Sequence, residues 1–254
     1  MQKTAVITGA ARGIGRAIAS RFLNDGYQIA LLDIDETTLM NTAAELSSSS
    51  VLPVICDVAN PQSVDTAIGE VVKAFGQINA LVNNAGIATF KPFGETTHEE
   101  WSAILSTNLN GAFYCSQSCL PQLLASGDGS IVNITSISGL RGSTLRTAYG
   151  TSKAALAHLT VQMAAELGNQ GVRVNAVAPG PVDTAMAKKV HSAAIREDYH
   201  KAIPLNRYGS EEEIANVVAF LCSSDSSYVN GQQIAVDGGF GSTGIGLSAL
   251  RSEQ

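Results

Sequence analysis

No run of hydrophobic residues in this chain is long enough to cross a bilayer, which takes about 20, and no stretch of Lys and Arg gathers the positive charge that a phosphate backbone requires. Charge is scarce altogether, at 15% Asp, Glu, Lys and Arg with a net charge of -6, so neither a membrane nor a nucleic acid is the expected partner. Cysteine is equally thin. Cys56, Cys115, Cys119 and Cys222 form no C-x-x-C pair, and the four histidines do not fall at zinc-ligand spacing, which argues against a metal site and against a disulfide framework. Cys115 and Cys119 share a helical face but read as reduced core thiols. Met1-Gln2-Lys3-Thr4 leads into a strand without a basic patch and apolar segment of the secretory kind, so the expected location is cytoplasmic. What is present is apolar: 45% hydrophobic residues in 254, enough for one large α/β domain over 1–254.

Short β-branched runs alternate with amphipathic helical stretches, the pattern of a parallel sheet covered on both faces. Thr4–Thr8 reads as the first strand. Gly9-Ala-Ala-Arg12-Gly13-Ile14-Gly15 turns it into a helix reaching about Asn24, and glycines there let a pyrophosphate approach the N–H groups of a helix start. The second strand, Gln28–Leu32, ends in Asp33, eighteen residues beyond Gly15. A carboxylate at that point accepts hydrogen bonds from adenosine ribose hydroxyls and repels a 2′-phosphate, which favours NAD over NADP. Arg12 could meet such a phosphate and argues the other way, and Asp33 could instead cap the next helix, a role for which Asp35 competes. Further strands are read at Val51–Ile55 and Ile78–Val82, helices at 35–46, 61–75 and, as one long element, 99–124.

Ser130–Ile134 is another buried strand, and Ser136 lies just past its end. Thr147–Leu167 carries helix formers up to Gly168. Thirteen residues after Ser136 comes Tyr149, and four later Lys153; that spacing puts the phenol and the ammonium on one helix face. A nearby ammonium favours the phenolate, so Lys153 is expected to lower the pKa of Tyr149 and make it a proton acceptor near neutral pH, with Ser136 bonding the same substrate oxygen.

Together, Thr8-Gly9-x-x-x-Gly13-x-Gly15, Asp57, Asn83-Asn84-Ala85-Gly86, Asn108, Ser136, Tyr149-x-x-x-Lys153 and Pro179-Gly180 resemble the short-chain dehydrogenase/reductase family over essentially the whole chain. The resemblance implies an α/β Rossmann fold, a doubly wound parallel sheet of about seven strands with helices on both faces. It implies that Asp57 and Val58 meet the adenine, that Asn83, Asn84, Ala85 and Gly86 shape the cofactor cleft, and that Pro179, Gly180, Val182 and Thr184 line the nicotinamide side. Asn108 would kink its helix and hold a water linking Lys153 to solvent, Lys153 would also bond the nicotinamide ribose, and members usually assemble as tetramers.

Val182–Tyr208 is the family's variable region and here carries Lys188, Lys189, His191, Arg196, His200, Lys201 and Arg207, as a substrate lid or a solvated helix would. A capping box at Ser210–Glu213 opens the following helix. Arg141 and Arg146 flank the catalytic residues together with Ser138; with His191 they are the candidate substrate contacts. Guanidinium groups there suit an anionic or polyhydroxylated substrate, or else acids across a subunit interface. The tail 240–254 either folds over a neighbouring subunit or frays. The first reading is an NAD-dependent oxidoreductase of a polar secondary alcohol or ketone, such as a sugar, polyol or hydroxy acid. The alternative is a reductase of 3-oxoacyl thioesters, which usually prefers NADPH and is disfavoured by Asp33. A nucleotide sensor without catalysis is the alternative from a different class.

Overall fold

The computed structural model describes residues 2–242, the side chain of Met186 excepted. Seven strands form one parallel sheet: β1 (Thr4–Thr8), β2 (Gln28–Asp33), β3 (Val51–Ile55), β4 (Ala80–Asn83), β5 (Ser130–Ile134), β6 (Arg173–Pro179) and β7 (Gln233–Val236). Their order across the sheet is β3-β2-β1-β4-β5-β6-β7. The order reverses between β1 and β4, and a crevice opens there at the carboxyl ends of the strands, the place where open α/β sheets take their ligands.

Successive strand residues serve opposite faces. Ala5, Ile7, Ile29 and Leu31 pack with Ile18, Phe22, Ile214 and Val218 on one side, under α1 (Gly13–Asn24), α2 (Glu36–Leu46) and α10 (Glu211–Cys222). Val6, Ala30, Leu32 and Leu81 pack on the other with Val64, Val71, Leu123 and Ala164, under α3 (Pro61–Phe75), α5 (Gly111–Ser126) and α7 (Thr147–Leu167). Burial on both faces explains why the strands read as continuous apolar runs rather than alternating ones. The four cysteines are free, buried thiols.

Three elements differ from the sequence reading. β2 runs on to Asp33, and Asp35 rather than Asp33 caps α2, accepting from the Thr38 N–H at 3.1 Å. β4 begins at Ala80, because Asn79 instead turns its side chain back to accept the Thr4 N–H at 3.0 Å. The long helix expected over 99–124 is two, α4 (His98–Leu105) and α5, joined by a π-helical turn at Ser106–Asn110. A short α6 (Ile137–Leu140) was not anticipated, and two further helices, α8 (Ala185–Val190) and α9 (Ala193–Ala202), occupy the variable region.

Candidate functional site

The glycine turn after β1 is shaped by what a side chain would meet. Gly9 and Gly13 hold φ of 63° and 62°, a left-handed backbone that favours glycine. A Cβ on Gly15 would sit 2.2 Å from the Gly9 carbonyl oxygen. Asn84, at the end of β4, pins this turn by donating through Nδ2 to the Thr8 and Gly9 carbonyls, both at 2.9 Å. Thr8 Oγ1 accepts the N–H groups of Asn84 and Ala85, each at 3.0 Å. The two strand ends on either side of the crevice are thus tied into one surface, and the turn with its bare Gly13 fits a pyrophosphate.

Asp33 stands beside that turn. Its two oxygens accept the N–H of Ala11 and of Asp35, both at 3.0 Å, which fixes a carboxylate at the end of β2. Arg12 is no counterweight, since its guanidinium is paired with Asp35 at 3.1 Å. Further along the rim, Asp57 Oδ1 accepts the Ala59 N–H at 2.9 Å, and Val58 is buried against Gly111. Glu211, which sequence reasoning passed over, is the nearest side chain to a Cβ placed on Gly13, at 3.8 Å; its carboxyl is pushed up by burial and by Glu212.

The Tyr149 site is assembled from three chain segments. β5 delivers Ser136, which is buried, and its hydroxyl accepts the Ser138 N–H at 3.1 Å. α7 carries Tyr149 and Lys153 one turn apart, with the ammonium 5.8 Å from the centre of the phenol ring. The π turn supplies Asn108: its Nδ2 donates to the Ile87 carbonyl at 2.9 Å and to Ser152 Oγ at 3.0 Å, and its Oδ1 accepts the Ile87 N–H at 2.8 Å. The extra residue of a π turn is what aims Asn108 into the core instead of along the helix. A Cβ on Gly86 would stand 3.3 Å from Asn108 Oδ1 and 3.4 Å from Lys153 Nζ, so Asn108, Gly86 and Lys153 meet at one point.

Electrostatics correct one expectation. Lys153 is 3% exposed, and its one hydrogen bond among the described residues is the donation to the Ile134 carbonyl at 2.7 Å. Burial pulls its pKa down from 10.5 to about 8. Tyr149 is not lowered: burial raises it above its ordinary value, while the Ser136 hydroxyl and the Arg146 charge pull it the other way. Arg146 Cζ and Lys153 Nζ both lie 5.8 Å from the ring centre, so burial outweighs two nearby cations, and Lys153 has two donors left for another partner.

Comparison with known proteins places this geometry. A family model described as "Enoyl-(Acyl carrier protein) reductase" matches residues 9–241. A "3-oxoacyl-[acyl-carrier-protein] reductase FabG" of Thermotoga maritima is 38% identical over 239 residues, 93% of this chain and 97% of its own. One of the same name from Chlamydia muridarum is 36% identical over 242 residues, 94% of this chain and 97% of the relative. Among solved structures, levodione reductase superposes with a TM-score of 0.91 at 32% identity, covering 95% of this chain and 98% of that one. A putative gluconate dehydrogenase from Agrobacterium tumefaciens reaches the same TM-score at 31% identity, covering 95% and 96%. The chain belongs to the short-chain dehydrogenase/reductase family. It is an oxidoreductase of the CH–OH group, and the family uses a nicotinamide cofactor.

The family's variable region is more self-contained here than its sequence suggested. Its cations are largely paired: Arg196 and Lys188 with Asp183 at 2.8 and 3.3 Å, Lys201 with Glu197 at 2.7 Å, and Arg207 with Glu213 at 2.6 Å. His191 sits in an aromatic group, its Nδ1 3.0 Å from the Tyr208 hydroxyl and its ring 5.3 Å from that of Tyr199; burial lowers its pKa. Thr184 caps α8, accepting the Ala187 N–H at 3.1 Å. Val182 is buried and bridges to Gly209, and Gly180 packs so tightly on Asp237 that a Cβ would lie 2.6 Å from it. Ser138 is occupied by Ser143 Oγ, which donates to it at 3.2 Å. Phe90 and Phe240, which no motif flagged, hold Arg146 and Arg141. Residues 243–254, most of the tail, lie outside the described residues.

Proposed function

We propose that this chain reduces a 3-oxoacyl thioester or a close 3-oxo analogue to the secondary alcohol, with a nicotinamide cofactor supplying hydride. The observation that carries the reading is the meeting of Ser136, Tyr149, Lys153 and Asn108 at the crevice, in a chain 38% identical to 3-oxoacyl reductases over nearly its full length. Tyr149 is the proton donor: a phenol whose pKa burial has raised holds its proton at neutral pH and gives it to the oxygen of a carbonyl being reduced. Ser136 orients that oxygen, Lys153 uses its free donors to hold the cofactor ribose, and Asn108 fixes the buried end of the proton path. The ranking of substrates thus reverses, since the relatives' names support the thioester over a polar alcohol.

A second reading, an NAD-dependent dehydrogenase of a polar secondary alcohol, is supported by Asp33. A fixed carboxylate beside the glycine turn, with Arg12 already paired, disfavours a 2′-phosphate by like-charge repulsion. NAD(H) is accordingly the proposed cofactor even if the substrate is a thioester. The assembly proposed is a homotetramer of cytoplasmic location. Among the described residues no helix is long and apolar enough to cross a membrane. The test is turnover with NADH and NADPH against a panel of 3-oxoacyl thioesters, β-diketones, sugar acids and polyols. Reduction of thioesters supports the first reading; oxidation of sugar acids or polyols with NAD, and no thioester turnover, replaces it with the second.

A further inference from the structure

Among the described residues, two arginines beside the Tyr149 site have no anion to hold. Among the described arginines, Arg12, Arg16, Arg21, Arg196 and Arg207 each pair with a carboxylate, and Arg173 donates to the Leu221 and Ser223 carbonyls. The guanidinium groups of Arg141 and Arg146 have neither ion pair nor hydrogen bond there. Rings hold them instead: Arg141 Cζ lies 3.9 Å from the Phe240 centroid and Arg146 Cζ 4.7 Å from that of Phe90. Stacking fixes a guanidinium in place and leaves its in-plane N–H donors unused.

Both arginines line one open cleft of about 470 Å³, together with Ser143, Thr147 and Thr151, and among the described residues no Asp or Glu lines it. In a chain of net charge -6, two cations facing hydroxyl residues and no acid make a local exception. The backbone between them is strained as well. Leu145 holds φ of 62°, which a bulky residue rarely adopts, and its carbonyl accepts the Lys91 N–H at 3.2 Å, tying the Arg146 loop to the Phe90 segment. Ser136, Tyr149 and Lys153 do not line the cleft, but Arg146 links it to them: its Cζ is 5.8 Å from the Tyr149 ring, and its charge also bears on His191.

We propose that Arg146 and Arg141 form an oxyanion-recognition subsite, so that the ketone reduced at Tyr149 carries an anionic group held across this cleft. The proposal rests on the ketone-reductase reading above. Two sources offer the same chemistry: a carboxylate on the substrate itself, or a phosphate on the arm of a thioester carrier.

The experiment compares kcat/KM for two matched pairs, acetoacetate against its ethyl ester and 3-oxobutanoyl-coenzyme A against the N-acetylcysteamine thioester. Enzymes tested are the wild type, Arg146→Gln, Arg146→Lys and Arg141→Gln. Arg146→Gln is expected to lower the anionic-to-neutral ratio by about tenfold to a hundredfold, chiefly through KM, with Arg146→Lys restoring part of it. A loss confined to acetoacetate assigns the carboxylate, and one confined to the coenzyme A thioester assigns the phosphate. Equal losses for anionic and neutral members overturn the subsite. So do unchanged ratios accompanied by a change in assembly mass, which would mean that the arginines meet acids of a second copy. If the wild type reduces none of the four, the reaction reading fails by itself. The subsite is then judged by calorimetric titration with acetoacetate and coenzyme A, and binding unaffected by Arg146→Gln overturns it.

Discussion

Replacing Lys153 by Met should make the protein more stable and inactive at once. A shift of the ammonium from 10.5 to about 8, caused by burial, corresponds to about 3 kcal/mol of cost for keeping the charge inside the folded chain near pH 7. Met fills similar space without a charge. Against this, the Ile134 carbonyl loses the donor that reaches it at 2.7 Å, which costs about 1–2 kcal/mol. The net expectation is a gain of about 1–2 kcal/mol, or a rise in Tm of roughly 2–4 °C per kcal/mol for a chain of this size. The sign of the pH dependence is fixed. Between pH 8 and 10.5 the unfolded lysine still binds a proton that the folded one has shed, so wild-type stability rises relative to that of the Met variant across that window, the buried thiols acting equally on both. Thermal unfolding of both proteins without cofactor, from about pH 7 to 10, should show the variant ahead at neutral pH and the gap closing as pH climbs. A variant several degrees less stable at neutral pH, or a gap that ignores pH, would refute a buried, desolvated ammonium. Turnover tests the other half: a Met variant that still reduces substrate removes Lys153 from the mechanism.

Tyr149→Phe should lower turnover by about 10²–10⁴-fold and leave nicotinamide binding by calorimetry unchanged; retained activity would move the proton transfer elsewhere. Asp33→Asn keeps an acceptor for the Ala11 N–H but removes the charge, and should raise the NADP-to-NAD preference by roughly tenfold. A wild type that already favours NADPH defeats the argument from Asp33. Gly15→Ala places a Cβ 2.2 Å from the Gly9 carbonyl oxygen and should cost several times the ~1 kcal/mol typical of a point substitution, read as a lost or much lowered unfolding transition. Gly69→Ala, inside α3 with nothing within 4 Å of its Cβ, should instead stabilise by about 0.5–1 kcal/mol; destabilisation there would undermine the contrast.

What the sequence made legible is what regular geometry converts directly into space. Tyr149 and Lys153 meet because four residues are one helical turn, and the strands declare themselves because burial on both faces demands continuous apolar runs. The π turn at Ser106–Asn110 has no such period, since one extra residue leaves the hydrophobic pattern of 99–124 almost unchanged and the sequence reads as unbroken helix. Asp33 and Asp35 were indistinguishable as caps because both precede α2 closely, and only the continuation of β2 to Asp33 decides between them. The direction of the Tyr149 shift differs from the sequence expectation for a related reason. Helical spacing shows that Lys153 is near, but burial, which no spacing reveals, sets the sign of the shift against the Ser136 hydroxyl and the Arg146 charge. The same limit governs the substrate. Arg141 meets Phe240 from the far end of the chain, and Arg146 meets Phe90 from the segment after β4, so the two guanidinium groups are held only where three chain segments come together. Cofactor chemistry is carried by short motifs on strands and helices, and it is readable because those motifs need only local backbone to be in place. Substrate recognition, built from contacts among loops, becomes readable only once the loops are positioned, which is why two arginines without acids are informative in the structure and ambiguous in the sequence.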